Sequence, residues 1–226
     1  NYLDRDIDPQ MPRTQNRALA SGKVDANNVL LLASLLTIVA FSILYLAVNT
    51  LTASLAIFTI GFYVLIYTLW LKRRTSWCTE IGGVAGAMPP LIGAAAVLNA
   101  LSIQALLLFL LMFLWQPPHF WALALLRVGE YRKIGVPMLP VVSGEQATKQ
   151  RMKLYTLTLL PVSIAICWAF DAAVVIYFLV LFLNGVYLYK TWRFSRLHVN
   201  RKSAMSLFSF SIIYLFTMFG ALFFMV

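Results

Sequence analysis

The sequence predicts an all-α membrane protein, a bundle of helices that crosses the bilayer several times. Its 226 residues are 61% hydrophobic and only 12% charged, with a mean hydropathy of +0.81. Several apolar runs reach the roughly 20 residues that a helix needs to cross a bilayer. These runs are continuous and do not alternate with polar residues, which indicates spanning helices and not barrel strands.

Seven runs qualify as spans. We place them at about 29–48, 52–71, 81–98, 103–126, 155–170, 172–192 and 204–225. The chain starts abruptly inside a polar motif and shows no signal peptide. We therefore expect one transmembrane domain over 1–226 whose N-terminal part precedes this sequence.

The basic residues support this span count. The connections at 49–51, at 99–102 and around Asp171 carry no Lys or Arg, so all 18 basic residues fall on the other side of the bundle. Lys and Arg stay on the cytoplasmic or mitochondrial matrix side of a membrane. Topology thus accounts for the net charge of +10, and we expect no nucleic-acid partner.

An acidic stretch, Asn1 to Pro9, stands at the edge of this apolar chain. Asp4 and Asp8 are four residues apart and share one face of a helical turn, whereas Asp6 points elsewhere. Pro9 disfavours helical geometry at Asp8, so the pair should occupy a last helical turn. Two carboxylates on one turn suit Mg²⁺ and leave room for phosphate oxygens. The alternative is a solvated acidic loop.

Two groups of basic residues have the chemistry to bind phosphate or carboxylate. Arg13 and Arg17 follow the acidic turn at a spacing of four, and arginine forks match phosphate oxygens. Lys72 and Arg73, with Arg74, form a compact cluster after the second span. The alternative for both groups is positive-inside bias alone.

Small residues and prolines mark the third span. Gly82, Gly83 and Gly86 favour close helix packing. The Pro89-Pro90 pair should break the helix at mid-depth, and broken backbone is tolerated there only when it is buried or lines a cavity. This pattern predicts a central chamber.

The fourth span contains Trp115-Gln116-Pro117-Pro118-His119. We expect the prolines to disrupt its helical ladder. An ionisable residue inside a membrane segment is a functional hypothesis, so His119 is a candidate to ligate a metal, move a proton or contact a porphyrin. The alternative is a core histidine bonded to freed carbonyls.

A second acidic position lies on the basic side. A helical extension from His119 would put Arg127, Glu130 and Tyr131 on one face. This is a weaker acidic site than the Asp4–Asp8 turn.

The stretches together resemble the UbiA superfamily of intramembrane prenyltransferases and, within it, the haem O synthase branch. The resemblance rests on the acidic and arginine motifs and on three further stretches over residues 1 to about 145: Tyr67 to Arg73, Gly86 to Gly93, and Trp115 to Phe120 running on to Glu130-Tyr131 and Pro137-Met138-Leu139-Pro140. The last three spans match only in hydropathy and position.

The resemblance implies a nine-helix bundle around a central cavity, seven helices here and two upstream. It implies Mg²⁺-assisted loss of diphosphate from farnesyl diphosphate and capture of the allylic cation by a vinyl group of haem b. Asp4 and Asp8 would bind the metal. The residues we assign to catalysis are Asp4, Asp8, His119 and Glu130, and those we assign to substrate binding are Arg13, Arg17, Lys72, Arg73, Arg127, Tyr131, Trp115 and Gln116.

The sequence departs from the family pattern in two ways. The Asn that opens the first motif would precede Asn1, and the second Asp-rich motif is replaced by Arg127, Glu130 and Tyr131. The second metal position therefore stays open.

The resemblance also implies surroundings and partners. We expect a multi-pass protein of the bacterial inner membrane, or alternatively of the mitochondrial inner membrane, with its active site on the cytoplasmic or matrix side. Besides the lipid bilayer, expected partners are haem A synthase or terminal oxidase assembly proteins. Two other functions stay open: prenyl transfer to an aromatic acceptor, and non-enzymatic haem binding or transport.

Overall fold

The structure is a computed structural model that describes residues 1–224, and its regular elements there are all helical. In chain order they are α1 (Ala26–Ala47), α2 (Thr50–Gly61), α3 (Cys78–Ala87), α4 (Pro89–Leu98), α5 (Ile103–Ala124), α6 (Val128–Lys133), α7 (Leu139–Val142), α8 (Gly144–Ala169), α9 (Val174–Arg196) and α10 (Arg201–Ala221). A π-helix, Phe62–Leu71, continues α2, and 3₁₀ turns cover Asp8–Gln10, Leu125–Arg127 and Leu222–Phe224.

Seven helical stretches are long and apolar enough to cross a bilayer, which confirms the predicted all-α, multi-pass class. They are Ala26–Ala47, Thr50–Leu71, Cys78–Leu98, Ile103–Lys133, Gly144–Ala169, Val174–Arg196 and Arg201–Phe224. The fourth continues to Lys133 and the fifth begins at Gly144, because charged residues extend both helices beyond their apolar parts. The predicted end of the last span, residue 225, lies outside the described residues.

The connections between the helices lie in two groups, one at each end of the bundle, as the distribution of the basic residues predicts. At one end, Asn49 Nδ2 donates to the Ala95 carbonyl at 2.8 Å. At the other end, Lys149 Nζ donates to the Leu197 carbonyl at 2.6 Å, which joins the start of α8 to the end of α9. Connections that carry no basic residue thus lie opposite those that carry them.

Polar side chains begin several of the long helices. An N-terminal turn has backbone N–H groups without helical partners, and a side-chain oxygen satisfies one or two of them. Asp25 accepts from the amides of Asn27 and Asn28 at 2.9 and 3.1 Å. The other capping side chains are Asn49 before α2, Ser102 before α5 and Asn200 before α10.

The core lies among α5, α8, α9 and α10. Trp121, Leu159, Tyr187 and Tyr214 are fully buried there. In contrast, α1 has no buried residue and packs against α2. Large apolar side chains remain exposed along most helices, as expected of surfaces that face lipid.

The two proline pairs behave differently. At Pro89-Pro90 the helix breaks as predicted: α3 ends at Ala87, and the prolines occupy the first turn of α4, where a missing N–H costs little. At Pro117-Pro118 the expected disruption is wrong, because α5 runs through both prolines to Ala124. Packing against α3, α8 and α10 holds α5 helical despite the two missing donors.

Two glycines of α3 admit side chains from neighbouring helices. A Cβ on Gly82 would lie 2.3 Å from Cδ2 of the Tyr67 ring, and one on Gly86 would lie 2.3 Å from Oε1 of Gln116. Glycine is thus required for these approaches. Gly93 has no atom within 4 Å of such a Cβ.

We predict that Gly82→Ala lowers the melting temperature, because the new methyl group displaces an aromatic ring and overpacking costs about 1–3 kcal/mol. The expected fall is about 2–10 °C. The measurement is thermal unfolding in detergent followed by circular dichroism. Gly93→Ala is the matched control and should be neutral or slightly stabilising. Equal melting temperatures for both variants would contradict this packing.

Candidate functional site

The segment before α1 folds back onto the helix ends as a series of turns. The Asp8 amide donates to the Asp4 carbonyl at 2.8 Å, so the two aspartates are separated by one helical turn, as predicted. Pro9 does not end the turn at Asp8, since it stands at the second position of the 3₁₀ turn Asp8–Gln10. Thr14 Oγ1 donates to the Asp8 carbonyl at 2.8 Å and fixes the following loop.

Asp4 is held by the basic cluster that follows the second span. Lys72 Nζ donates to Asp4 Oδ2 at 2.6 Å. The other oxygen, Oδ1, is sealed from solvent and has no hydrogen-bond partner among residues 1–224. An unpartnered buried carboxylate oxygen is costly, and a cation would satisfy it.

Asp8 is buried and pairs with one of the predicted arginines. Arg17 Nη1 lies 3.1 and 2.9 Å from its two oxygens. The same nitrogen donates to Asn1 Oδ1 at 3.1 Å. Arg17, assigned to diphosphate, is therefore a direct neighbour of a residue assigned to metal.

Asp6 stands apart from this pair, as its position in the turn predicts. It is exposed and receives two bonds from Arg73, at 2.6 and 2.7 Å. The hydrogen bonds from Arg73 lower the pKa of Asp6 below its usual value, and Asp6 raises the pKa of Arg73. Arg73 also donates to the Leu3 carbonyl at 2.7 Å, so this ion pair anchors the acidic turn.

Tyrosines connect the acidic turn to the second acidic position. Tyr67 lies within electrostatic range of Asp4 and of Tyr131. Tyr131, in turn, lies within range of Arg13, Arg127 and Glu130. The structure thus brings the two acidic positions to one end of the bundle. The α6 helix confirms the predicted helical extension, with a 3₁₀ turn inserted at Leu125–Arg127.

Glu130 resembles Asp4 in one respect. Its Oε2 atom is sealed from solvent and has no partner within the described chain. Arg13, by contrast, is exposed and has no ion pair within 4 Å among residues 1–224. It is available for an anion that enters from the surface.

The predicted residues of the fourth span lie deeper in the bundle. Gln116 Nε2 donates to the carbonyls of Gly83 and Met112, at 2.9 and 3.2 Å, so this amide joins α5 to α3. Trp115 Nε1 donates to the Ser211 carbonyl at 2.7 Å. His119 is buried and does not bond a freed carbonyl, since its Nδ1 lies 2.6 Å from Ser211 Oγ.

One ion pair that involves a buried carboxylate was not expected from the sequence. Glu80, at the start of α3, is 3% exposed and accepts a bond from Arg151 Nη1 at 3.0 Å. The Arg151 guanidinium also stacks on the Trp77 ring, 4.5 Å from its centroid. Glu80 could have been predicted as a candidate functional residue, because it is a carboxylate at the edge of an apolar span. No local pattern around Arg151 or Ser211 predicted their contacts with Glu80 and His119.

The donor atoms are suited to a metal that keeps open positions. No three His, Cys, Asp or Glu side chains cluster as a ready-made metal site in the part of the chain that the structure describes. Asp4 and Asp8 provide one turn of carboxylates with an unpartnered oxygen. Mg²⁺ is commonly held by one or two carboxylates together with water and substrate phosphates, which fits this set.

The fold and site define a multi-pass helical membrane protein with an acidic, arginine-flanked turn at one end of the bundle. The chain belongs to the UbiA prenyltransferase family, which matches residues 1–222.

Curated proteins similar to this chain include several that are named protoheme IX farnesyltransferase. The protein from Parvibaculum lavamentivorans is 44% identical over 224 residues, which cover 98% of this chain and 70% of the relative. That from Gloeobacter violaceus is 45% identical over 97% of this chain and 72% of its own length. That from Nostoc sp. is 44% identical over 94% of this chain and 67% of its own length. No solved structure matches the chain significantly.

We predict that Arg73→Gln returns the pKa of Asp6 toward its ordinary value, because the hydrogen bonds from the guanidinium are the largest cause of its depression. A carboxyl group whose pKa is lowered by folding stabilises the fold at pH values above its unfolded-state pKa. This contribution is lost as the pH falls through the folded-state pKa. The measurement is a carbon-13 NMR titration of aspartate carboxylates.

Arg74→Gln is the control for Arg73→Gln, because Arg74 is an exposed neighbour with no ion pair in the described chain. It should leave the Asp6 titration unchanged. An Asp6 titration that is the same in the wild type and in Arg73→Gln would contradict the assignment.

Proposed function

We infer that this chain transfers the farnesyl group of farnesyl diphosphate to a vinyl group of haem b and so produces haem O. The observation that carries this conclusion is the identity of 43–45%, over nearly the whole chain, to relatives named protoheme IX farnesyltransferase. Membership of the UbiA prenyltransferase family agrees with it.

We propose that the acidic turn binds the diphosphate end of the donor through Mg²⁺. Asp4 and Asp8 would hold the metal, and the unpartnered Oδ1 of Asp4 supports this role. Bound Mg²⁺ would neutralise charge on the departing diphosphate. Arg13, Arg17 and Lys72, with Arg73 beside them, bring further positive charge to the same place.

Lys72 and Arg17 have two tasks in this scheme. Without substrate they neutralise Asp4 and Asp8 directly, at 2.6 and 2.9 Å. When metal and diphosphate bind, the same cations can turn to the phosphate oxygens, because the carboxylates then bind metal. Both residues thus contribute to substrate binding, as the sequence assignment proposes.

We assign the acceptor side to Arg127, Glu130 and Tyr131 together with the deeper residues Trp115, Gln116 and His119. The departing diphosphate takes the bonding electron pair, the vinyl group forms the new carbon–carbon bond, and water adds to the resulting cation. The proton lost by that water passes to a base. The unpartnered Oε2 of Glu130 is our candidate for this base.

The apolar bundle protects the reaction from early capture by water. Aromatic rings near a carbocation offer negative π faces, and Trp115 is the candidate here. Sequestration from water keeps the allylic cation available for the vinyl group.

We propose that the site faces the cytoplasm of a bacterium, or the matrix of a mitochondrion, because the basic connections lie at its end of the bundle. The bacterial inner membrane is the location we favour. Haem A synthase or terminal oxidase assembly proteins would then be the partners that receive the product.

We predict that Asp4→Asn and Asp8→Asn each reduce haem O formation about a hundredfold or more, because each removes charge that stabilises the bound metal and leaving group. The measurement is reverse-phase chromatography of haem extracted from the membranes of cells that express the full-length protein. Each variant should still insert in the membrane at normal levels.

Asp25→Asn is the matched control, since asparagine caps a helix as well as aspartate and Asp25 serves only α1 in the described chain. It should leave haem O formation unchanged. Normal haem O output from Asp4→Asn or Asp8→Asn would overturn the metal assignment. An unchanged haem profile together with Mg²⁺-dependent release of diphosphate would indicate an aromatic acceptor. The absence of both a new haem and diphosphate release would indicate a protein that only binds haem.

A further inference from the structure

The environment of His119 determines which of its ring nitrogens carries the proton. Ser211 Oγ lies 2.6 Å from the Phe208 carbonyl and 2.6 Å from His119 Nδ1. A hydroxyl has one proton, and a carbonyl oxygen can only accept. Ser211 therefore donates to Phe208 and accepts from the Nδ1–H of His119, which leaves a lone pair on Nε2.

Three further contacts hold this arrangement rigid. The His119 ring is stacked between Trp115 and Phe208, with centroids 4.3 and 4.4 Å away. The edge of Phe120 approaches at 5.1 Å. The Trp115 indole donates to the Ser211 carbonyl at 2.7 Å, so the residue that orients His119 is itself fixed.

Nε2 has no hydrogen-bond partner in the described chain, and it is not sealed inside the protein as Asp4 Oδ1 is, although the histidine as a whole is only 7% exposed. A polar atom inside a membrane bundle is costly unless it is satisfied. A histidine that ligates a metal usually donates its other ring N–H to an oxygen, which sets the tautomer and makes the ligating nitrogen more basic. His119 and Ser211 have this geometry before any ligand binds.

The depth of His119 agrees with an acceptor site beneath the donor site. His119 and Glu130 are eleven residues apart on one helical stretch, about 16 Å along its axis. The 3₁₀ turn Leu125–Arg127 separates them, so His119 lies on α5 and Glu130 on α6 of this stretch. The diphosphate residues are at the end of the bundle and His119 is within its apolar part.

We propose that Ser211 is a positioning residue that holds His119 as the Nδ1–H tautomer, so that Nε2 ligates the iron of the porphyrin acceptor. This inference rests on the proposed function, in which that acceptor is haem b. Ligation at Nε2 anchors the macrocycle at its centre and leaves the vinyl edge free to meet the farnesyl cation. It assigns His119 to acceptor binding and separates it from the metal–diphosphate chemistry.

The test is titration of haem b into the purified full-length protein, with the iron–histidine stretching band read by resonance Raman in the ferrous state. The wild type should show the band. His119→Ala should lose it, and Ser211→Ala should keep haem but bind it about 10–100-fold more weakly with the band at lower frequency. Ser211→Thr retains the hydroxyl and should restore both.

Ser163→Ala is the matched control, because Ser163 is also fully buried and bonds a helix carbonyl at 2.7 Å without touching His119. It should change neither affinity nor band. An unchanged band in His119→Ala overturns iron ligation, and identical behaviour of Ser211→Ala and wild type overturns the role of Ser211.

Haem O yield, measured in the same preparations, separates this inference from the proposed function. A wild type that shows the His119-dependent band but forms no haem O would overturn the proposed function and leave the ligation standing. A wild type that forms haem O without that band would overturn the ligation alone.

Discussion

The ion pair between Asp4 and Lys72 is the contact on which the rest of the site depends. Three carboxylates within five residues repel one another, and each of them is paired with a separate cation from elsewhere in the chain. Lys72 and Arg73 provide two of these cations from the end of the second span, and Arg17 provides the third from the loop. The segment before α1 is thereby attached to the end of the second span.

These pairs also show how the same residues can serve two states. The side chains of Asp4 and Asp8 are only 13% and 7% exposed, so their charge has to be compensated whether or not substrate is present. Lys72 and Arg17 compensate it in the structure, and in the proposed scheme a divalent cation would take over this role when substrate binds. In that scheme, new contacts with diphosphate would offset the cost of releasing the lysine and the arginine.

Helix α5 is the second element on which the arrangement of the bundle depends. Three of its polar side chains bond to neighbouring helices: Gln116 to α3, and Trp115 and His119 to α10. These bonds hold α5 in place through two prolines. The buried histidine and the acidic position at Glu130 lie on the same long helical stretch, Ile103–Lys133.

The sequence alone determined the fold class, the seven spans, the alternation of basic connections and the helical spacing of Asp4 and Asp8. Hydropathy, positive-inside bias and the period of a helix are local properties, so they can be evaluated without knowledge of packing. The resemblance of local motifs was also sufficient to indicate the family. These features account for the membrane architecture and for the candidate donor residues.

Only the tertiary structure decided which side chains meet. Lys72 and Asp4 are 68 residues apart, Arg151 and Glu80 are 71 apart, and His119 and Ser211 are 92 apart. No periodicity encodes such pairs, because they depend on which helices become neighbours and at what depth. The persistence of α5 through Pro117-Pro118 has the same cause, since contacts with neighbouring helices outweigh a local preference to break.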